Sequence, residues 1–243
     1  MPPHSNKSEF ITVVLAEDHH VVRQGLKSLL EGESDIQVVG EASDGIDAAN
    51  LAERLKPSIL LLDMMLPGLN GIDVARRVTK RSPGTKVVVL SMNSNEEHVV
   101  AALRSGASAY LTKKASGAEL LHAIREVRVG RRYLSAPFSS TTVGSAQEGA
   151  REFSGDDPYE TLTNREREVL HLAAEGHSNA EIGARLKISP RTVETHRAKA
   201  THKLGLRGQT DLVLYAVQRG LVDEGRGRSR KIPEGTGPGP RQP

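Results

Sequence analysis

The sequence has no cysteine among its 243 residues. This absence excludes disulfide bonds, thiolate metal sites, iron–sulfur clusters and cysteine nucleophiles. No apolar run approaches the roughly 18 residues that a membrane-spanning helix requires, so we expect no contact with a membrane. The first ten residues, MPPHSNKSEF, contain neither an apolar segment nor a small-residue cleavage site, which makes a secretory signal unexpected. Together these absences predict a cytoplasmic protein.

Charge of either sign is not in large excess, since the net charge is +3. The basic excess lies near the C-terminus, where residues 161–223 carry 10 basic and 7 acidic side chains and residues 224–243 carry 5 and 2. A basic segment favours binding to an anionic polymer such as nucleic acid. A solubilising surface explains the same balance equally well.

The chain divides into two predicted domains. Short β-branched runs alternate with helical patterns to about residue 130, which predicts an α/β domain with a doubly wound parallel sheet over residues 11–130. A Ser-, Gly- and acid-rich stretch follows and predicts a flexible linker over residues 131–158. Helical periodicity returns over residues 159–223 and predicts a small all-α domain, and the Gly- and Pro-rich residues 224–243 predict a disordered basic tail.

Polar side chains follow four of the five predicted strands, which are residues 11–16, 36–40, 58–62, 86–90 and 108–112. Glu17 and Asp18 follow the first strand, Asp63 the third, Ser91 the fourth and Lys113 the fifth. The carboxyl ends of parallel strands meet at one edge of a sheet, where ligands bind. Carboxylates gathered there favour Mg²⁺ or Mn²⁺ over zinc, although any one of them also suits a helix N-cap.

The α/β segment resembles the receiver domain of two-component response regulators, through VVLAEDHHVVRQGL (13–26), ILLLDMMLPGLNGID (59–73), VVVLSM (87–92) and GASAYLTKKA (106–115). The resemblance implies that Asp63 accepts a phosphoryl group, and that Mg²⁺ is held by Glu17, Asp18, Asp63 and the backbone carbonyl of Met65. It further implies that Ser91 and Tyr110 form the switch and that Lys113 contacts the phosphoryl group. We interpret His19 and His20 as the start of the first helix rather than as metal ligands.

The C-terminal segment has the start and stop signals of four helices. Thr163 with Glu166, and Ser178 with Glu181, have the spacing of capping boxes, and Pro190 stands early in the third helix. At about 100° per residue, that third helix has an apolar stripe on one side and a polar, basic face on the other. This pattern is typical of a helix laid in a DNA major groove, and a solvated amphipathic helix is the alternative.

The motifs LTNREREVL, SNAEIGARL and SPRTVETHRAKATHKLG resemble the LuxR-type helix-turn-helix. With the receiver motifs, they make the whole chain similar to response regulators of the NarL/FixJ type. By position we expect Arg191, Glu194 and Thr195 to read base edges, and Thr192, Arg197 and Lys199 to contact phosphates. The family also implies that the last helix pairs two copies on promoter DNA.

These features predict a transcriptional regulator that a sensor histidine kinase switches by phosphorylating Asp63. We expect it to act as a phospho-acceptor that takes part in its own phosphoryl transfer and hydrolysis, with no other enzyme activity. One alternative is a regulator that binds DNA without phosphorylation and uses the receiver for dimerisation. An aspartate-nucleophile phosphohydrolase fits poorly, because position 65 holds Met where a second aspartate is required.

Overall fold

A computed structural model of the chain describes residues 10–92, 95–135 and 157–222. Most of the predicted linker (136–156) and the predicted basic tail (224–243) lie outside the described residues. Among the residues described, no helix is both long and apolar enough to span a membrane.

In the part of the chain that the structure describes, the N-terminal domain is built on a parallel sheet of six strands in the order β2-β1-β3-β4-β5-β6. Their bounds are Ile11–Ala16 (β1), Ile36–Ala42 (β2), Ile59–Asp63 (β3), Lys86–Ser91 (β4), Ala107–Thr112 (β5) and Tyr133–Leu134 (β6). Every residue of β3 is buried, as expected of a central strand covered on both faces. The continuous aliphatic run of this strand reflects its position.

Helices cover both faces of the sheet, and their bounds are His20–Glu31 (α1), Gly45–Leu55 (α2), Gly71–Arg81 (α3), Glu96–Arg104 (α4) and Gly117–Arg128 (α5). One apolar core lies under α1 and α5. A second lies under α2, α3 and α4 and continues into the C-terminal helices. Short polar side chains cap the starts of α2 to α5, for example Asn70, whose amide oxygen accepts from the backbone N–H of Asp73 at 2.9 Å.

The sheet has one more strand than the five that the sequence pattern predicts. Residues Tyr133–Leu134 pair in parallel with β5, through Ala109 with Tyr133 and Tyr110 with Leu134. These two residues stand in the segment predicted to be linker. A strand of two residues is too short to show an alternation of apolar and polar side chains, so the sequence pattern does not predict it. It forms by pairing with the edge of β5.

The C-terminal domain contains the four predicted helices, Asn164–Ala174 (α6), Asn179–Leu186 (α7), Pro190–Lys203 (α8) and Gln209–Gln218 (α9), after a short 3-10 helix at Pro158–Thr161. Both predicted capping boxes form, at the starts of α6 and α7. Gly176 (φ 89°) and Gly205 (φ 68°) follow α6 and α8 in the left-handed conformation, which ends each helix.

Candidate functional site

The carboxylates predicted to meet at the sheet edge lie together. Asp63 is the last residue of β3, and Glu17 and Asp18 directly follow β1. One oxygen of each, with a ring nitrogen of His19, lies within 4.8 Å of the others. Glu17 and Asp63 are buried, with exposed fractions of 1% and 4%. Clustered hard oxygen donors of this kind fit Mg²⁺ or Mn²⁺.

Lys113 joins two of these carboxylates. Its Nζ lies 2.9 Å from Asp63 Oδ2 and 2.7 Å from Glu17 Oε2. Burial acts to lower the pKa of Lys113, but the hydrogen bonds to Glu17 and Asp63 outweigh it and the net pKa is raised. The lysine is therefore a fixed cation in direct contact with the predicted phospho-acceptor.

The pKa of Asp63 is raised above its ordinary value, chiefly by burial and secondarily by the negative charge of Glu17. The hydrogen bond and charge of Lys113 act in the opposite direction. The ionised pocket therefore carries uncompensated negative charge, which a divalent cation would neutralise.

The loop after β3, residues 64–70, folds back against Asp63. The backbone N–H of Met65 donates to Asp63 Oδ1 at 3.3 Å, which places the Met65 backbone at the pocket. Gly71 begins α3 where a Cβ would lie 2.7 Å from the carbonyl oxygen of Asp63 and 2.8 Å from Met64 Cα. Glycine is required at position 71 by this close approach.

The two predicted switch residues are also in contact with each other. Ser91 ends β4 and Tyr110 lies within β5, and both are buried. Burial raises the pKa of the Tyr110 phenol, and its hydrogen bond with Ser91 acts against this shift. Tyr110 is fully enclosed in this structure, with an exposed fraction of 0%.

His19 and His20 stand at the start of α1, as predicted, with His19 as the N-cap and His20 as the first helical residue. The imidazole of His19 is also a member of the pocket. Its Nδ1 lies 2.9 Å from Asp18 Oδ1 and 3.2 Å from Glu17 Oε1.

Helix α8 presents a polar face to solvent. Val193 and Ala200 are buried on its inner side. The exposed positions on the other side are Arg191, Glu194, Thr195, Ala198, Lys199 and His202. Of the six predicted DNA contacts, four are therefore exposed side by side.

The other two predicted DNA contacts, Thr192 and Arg197, are half-buried and engaged within the domain. The Thr192 hydroxyl is 2.8 Å from that of Ser189, the N-cap of α8. The guanidinium of Arg197 donates to the side-chain oxygens of Asn179 and Gln209. In this conformation Arg197 joins α8 to α7 and α9, whereas Thr192 contacts the N-cap of its own helix.

Comparison with known proteins agrees with this division of the chain. The profile of the family described as "Response regulator receiver domain" matches residues 13–125. The profile described as "Bacterial regulatory proteins, luxR family" matches residues 160–216. The oxygen regulatory protein NreC of Staphylococcus aureus (strain JH9) is 36% identical over 87% of this chain and 99% of its own length.

Two solved response regulators are similar in structure. The receiver domain of the putative regulator NarL from Mycobacterium tuberculosis is 33% identical, with a TM-score of 0.50 over 51% of this chain and 99% of that one. RcsB of Salmonella typhimurium is 26% identical, with a TM-score of 0.51 over 86% of this chain and 99% of that one. A second RcsB structure contains two dimers bound to two parallel DNAs. It is 25% identical, with a TM-score of 0.50 over 86% of this chain and 98% of that one.

The identity to NreC along almost its whole length, together with the two family models that match this chain, decides the family. The chain belongs to the NarL/FixJ-type two-component response regulators. It is a phosphorylation-dependent transcription regulator with a receiver and a LuxR-type DNA-binding domain. The family consists of DNA-binding regulators rather than classical enzymes.

The response regulator also contains a polar cluster that its sequence pattern does not reveal. Asp73 of α3 is 4% exposed and contacts Tyr159, Arg167 and His171 of the DNA-binding domain. The three partners lie 86 to 98 positions after Asp73 in the sequence, and no sequence motif spans that distance. Only the packing of one domain on the other brings them together.

Proposed function

We propose that Asp63 accepts a phosphoryl group from a sensor histidine kinase, and that the phosphorylated regulator binds promoter DNA as a homodimer in the cytoplasm. The observation that carries the proposal is the buried Asp63 carboxylate, 2.9 Å from the Lys113 ammonium and close to two further carboxylates. The domain bounds that we propose are residues 11–130 for the receiver, 131–158 for the linker, 159–223 for the DNA-binding domain and 224–243 for a basic tail.

In the proposed reaction an oxygen of Asp63 forms a bond to phosphorus while the bond from phosphorus to the donor breaks. Both reactants are negatively charged, and Lys113 offsets part of their repulsion. Glu17, Asp18, Asp63 and the Met65 carbonyl would hold Mg²⁺, with Mn²⁺ as a substitute. The ion supplies further neutralisation of the phosphoryl oxygens when bound. Attack by water on the same phosphorus breaks its bond to Asp63 and releases inorganic phosphate, which regenerates the carboxylate, so the regulator takes part in its own dephosphorylation.

The proposed switch uses the buried pair Ser91 and Tyr110. A phosphoryl group on Asp63 adds acceptor oxygens at the ends of β3 and β4, which are paired through Asp63 and Leu90. The Ser91 hydroxyl is placed at the end of β4 to donate to such an oxygen. Ser91 also forms a hydrogen bond with Tyr110, so a movement of Ser91 changes the hydrogen bonding and position of the tyrosine side chain.

The exposed face of α8 supports the proposed DNA contacts. Arg191, Glu194 and Thr195 stand in the N-terminal half of α8, the part that reads base edges in helix-turn-helix proteins. Glu194 accepts hydrogen bonds only, which suits a cytosine amine and opposes phosphates. Lys199 lies on the same side and is exposed. We assign it to the DNA backbone together with Thr192 and Arg197, which are half-buried beside their partners within the domain.

The proposed dimer uses α9. Leu214 in this helix is 54% exposed, whereas Leu212 and Ala216 are buried in the domain. An exposed apolar side chain beside a covered helix face suits a second copy of the same helix. The RcsB dimers bound to DNA support a dimeric bound state.

The deciding experiment is the intact mass of the full chain after incubation with Mg²⁺ and acetyl phosphate. Wild type is expected to gain one phosphoryl group and Asp63→Asn none. Asp35→Asn is the matched control, since Asp35 precedes β2 at the opposite edge of the sheet and pairs with Arg125. Equal labelling of wild type and Asp63→Asn would contradict the assignment.

The same samples separate the proposal from phosphorylation-independent DNA binding. We would select bound sequences from a random DNA library with the purified regulator, then compare affinities with and without phosphoryl donor. Phosphorylation is expected to strengthen binding to a pseudo-palindromic site. Equal affinity in both states would favour the receiver as a dimerisation module alone.

A further inference from the structure

His19 stands at the start of α1, but its side chain does not cap that helix. The N-caps of α2 to α5 each accept a hydrogen bond from a backbone N–H of their own first turn, and they are Asp44, Asn70, Asn95 and Ser116. The side chain of His19 makes no such bond. Among the described helices of the receiver, α1 is the exception, so the orientation of the imidazole has a cause other than capping.

The imidazole instead faces the carboxylates that follow β1. Its Nδ1 lies 2.9 Å from Asp18 Oδ1 and 3.2 Å from Glu17 Oε1. The backbone N–H of His19 donates to the same Glu17 oxygen at 3.2 Å, which fixes the residue beside that carboxylate. Two ligand atoms that each lie about 2.1 Å from one metal ion are about 3 Å apart, so both distances suit neighbouring ligands of a shared ion.

Lys113 contacts different oxygens of the same pocket. Its Nζ lies 2.7 Å from Glu17 Oε2 and 2.9 Å from Asp63 Oδ2. The oxygens that face the imidazole are Glu17 Oε1 and Asp18 Oδ1. The ammonium and the imidazole therefore do not compete for the same atoms, and the cation of Lys113 leaves the side of the pocket next to His19 open to a second cation.

The pocket has a buried floor and one exposed member. The side chain of Glu17 is 1% exposed, whereas that of His19 is 68% exposed. The imidazole thus stands at the rim, where an ion arrives from solvent. A hydrogen bond to a carboxylate explains the same position of the ring, but a hydrogen bond does not discriminate between metals. Metal preference therefore separates the two explanations.

An imidazole nitrogen changes which ions a carboxylate pocket prefers. Mg²⁺ prefers oxygen ligands and keeps several of its waters. Imidazole suits transition-metal ions such as Fe²⁺, Ni²⁺ and Zn²⁺, and affinity for nitrogen and oxygen donors rises from Mn²⁺ through Co²⁺ to Cu²⁺. One nitrogen among three carboxylates therefore favours a transition-metal ion more than the carboxylates alone do.

We propose that His19 is a fourth side-chain ligand of the acidic pocket, and that its nitrogen makes the pocket selective for transition-metal dications over Mg²⁺. Selectivity here means a higher ratio of the two affinities than the oxygen ligands alone give. The inference rests on the proposed function, which assigns only oxygen ligands to the ion, and adds the class of cation that the pocket selects.

The ratio of affinities is measured by calorimetric titration of the full chain with Co²⁺ and with Mg²⁺, in the absence of a phosphoryl donor. His19→Ala is expected to weaken Co²⁺ binding by at least about 10-fold, the lower end of the range for loss of a group that supports a metal site. Mg²⁺ binding is expected to change by less than about twofold, because Mg²⁺ prefers oxygen ligands.

Two further variants assign the binding event. His20→Ala is the matched control, since His20 is the adjacent exposed imidazole on α1 and is not a member of the cluster. It is expected to leave both affinities unchanged. Asp18→Asn removes a carboxylate of the pocket and identifies the pocket signal, because the chain has nine histidines that also bind Co²⁺. Far-UV circular dichroism of each variant shows that it is folded.

Pulsed electron paramagnetic resonance of bound Mn²⁺ tests the ligand itself. A directly bound imidazole couples its nitrogen to the electron spin of the ion and modulates the spin echo. This nitrogen coupling is expected in wild type and His20→Ala, and is expected to be lost in His19→Ala. A histidine that only forms a hydrogen bond to Asp18 or Glu17 gives no such coupling.

Three outcomes would overturn the proposal. Equal weakening of Co²⁺ and Mg²⁺ binding in His19→Ala would show that His19 supports the shape of the pocket without selecting the ion. Absence of nitrogen coupling in wild type would show that the imidazole is not a ligand. Co²⁺ binding that is unchanged in Asp18→Asn would place the ion outside the pocket. Failure of wild type to gain a phosphoryl group from acetyl phosphate would instead count against the proposed function, because the metal titrations contain no phosphoryl donor.

Discussion

Removing one hydroxyl from the Asp73 cluster tests whether the cluster stabilises the protein. Tyr159→Phe deletes the group that donates to Asp73 Oδ2 at 2.5 Å and contacts His171 Nε2 at 2.9 Å. The ring stays in place, because the guanidinium carbons of Arg167 and Arg219 both lie 4.7 Å from its centroid. The substitution therefore changes hydrogen bonding and leaves packing intact.

The expected cost follows from what the carboxylate loses and keeps. A hydrogen bond to a charged group contributes about 1.5–3 kcal/mol. Asp73 retains its bonds from Arg76 and Arg167, so it is not left unpaired. We therefore expect Tyr159→Phe to lower the free energy of unfolding by about 1.5–2 kcal/mol, in the lower part of that range.

Urea unfolding of the full chain, followed by far-UV circular dichroism, measures this cost. Tyr133→Phe is the matched control, since it removes a hydroxyl whose bond to Glu119 is longer (3.4 Å) and half-exposed. That control is expected to change the unfolding free energy by less than about 0.5 kcal/mol, as surface substitutions do. Equal losses in the two variants would refute the reasoning that the buried cluster carries more energy than a surface contact.

Three further predictions concern the loop after β3, the buried Asp73 cluster and the exposed face of α8. Gly71→Ala forces a methyl group against backbone atoms, and we expect it to lower the free energy of unfolding by about 1–3 kcal/mol and to slow phosphoryl uptake. Gly84→Ala, where a Cβ would have nothing within 4 Å, is expected to change neither the unfolding free energy nor the phosphoryl uptake measured by mass. The partners of Asp73 lower its pKa in the folded protein, so its contribution to stability is complete at neutral pH and is lost as pH falls below about 4. Urea unfolding is expected to show a smaller loss of stability between pH 7 and pH 3 in Asp73→Asn than in wild type, and equal losses would contradict this. Lys199→Ala is expected to weaken binding to all DNA sequences and reduce the salt slope by about 1, while Glu194→Ala relaxes base preference, and anisotropy titrations over a salt series that give equal effects would reverse the assigned roles.

The arrangement of the pocket could be predicted from the sequence because it depends on local order alone. Parallel strands place their carboxyl ends at one edge, so Glu17, Asp63 and Lys113 meet whatever the details of packing. The four C-terminal helices could be predicted for a similar reason. Capping boxes such as that of Thr163 and Glu166 are formed by residues three apart.

Other features depend on contacts that no local pattern encodes. The strand at Tyr133–Leu134 is two residues long and exists because β5 leaves an edge to pair with. The position of Arg197 on α8 predicts a phosphate contact, and only the tertiary structure shows that its guanidinium also binds side chains of α7 and α9. These contacts depend on how α7 and α9 pack against α8, which the sequence of α8 does not specify.

The sequence by itself determined the two domains, the acidic edge of the sheet and the polar face of α8, since each follows from hydrophobic period and strand order. Only the tertiary structure decided that Asp73 is buried against Tyr159, Arg167 and His171. A carboxylate in the first turn of a helix normally serves that helix alone. It becomes a contact between domains only when a second surface supplies enough donors to replace the water that burial removes.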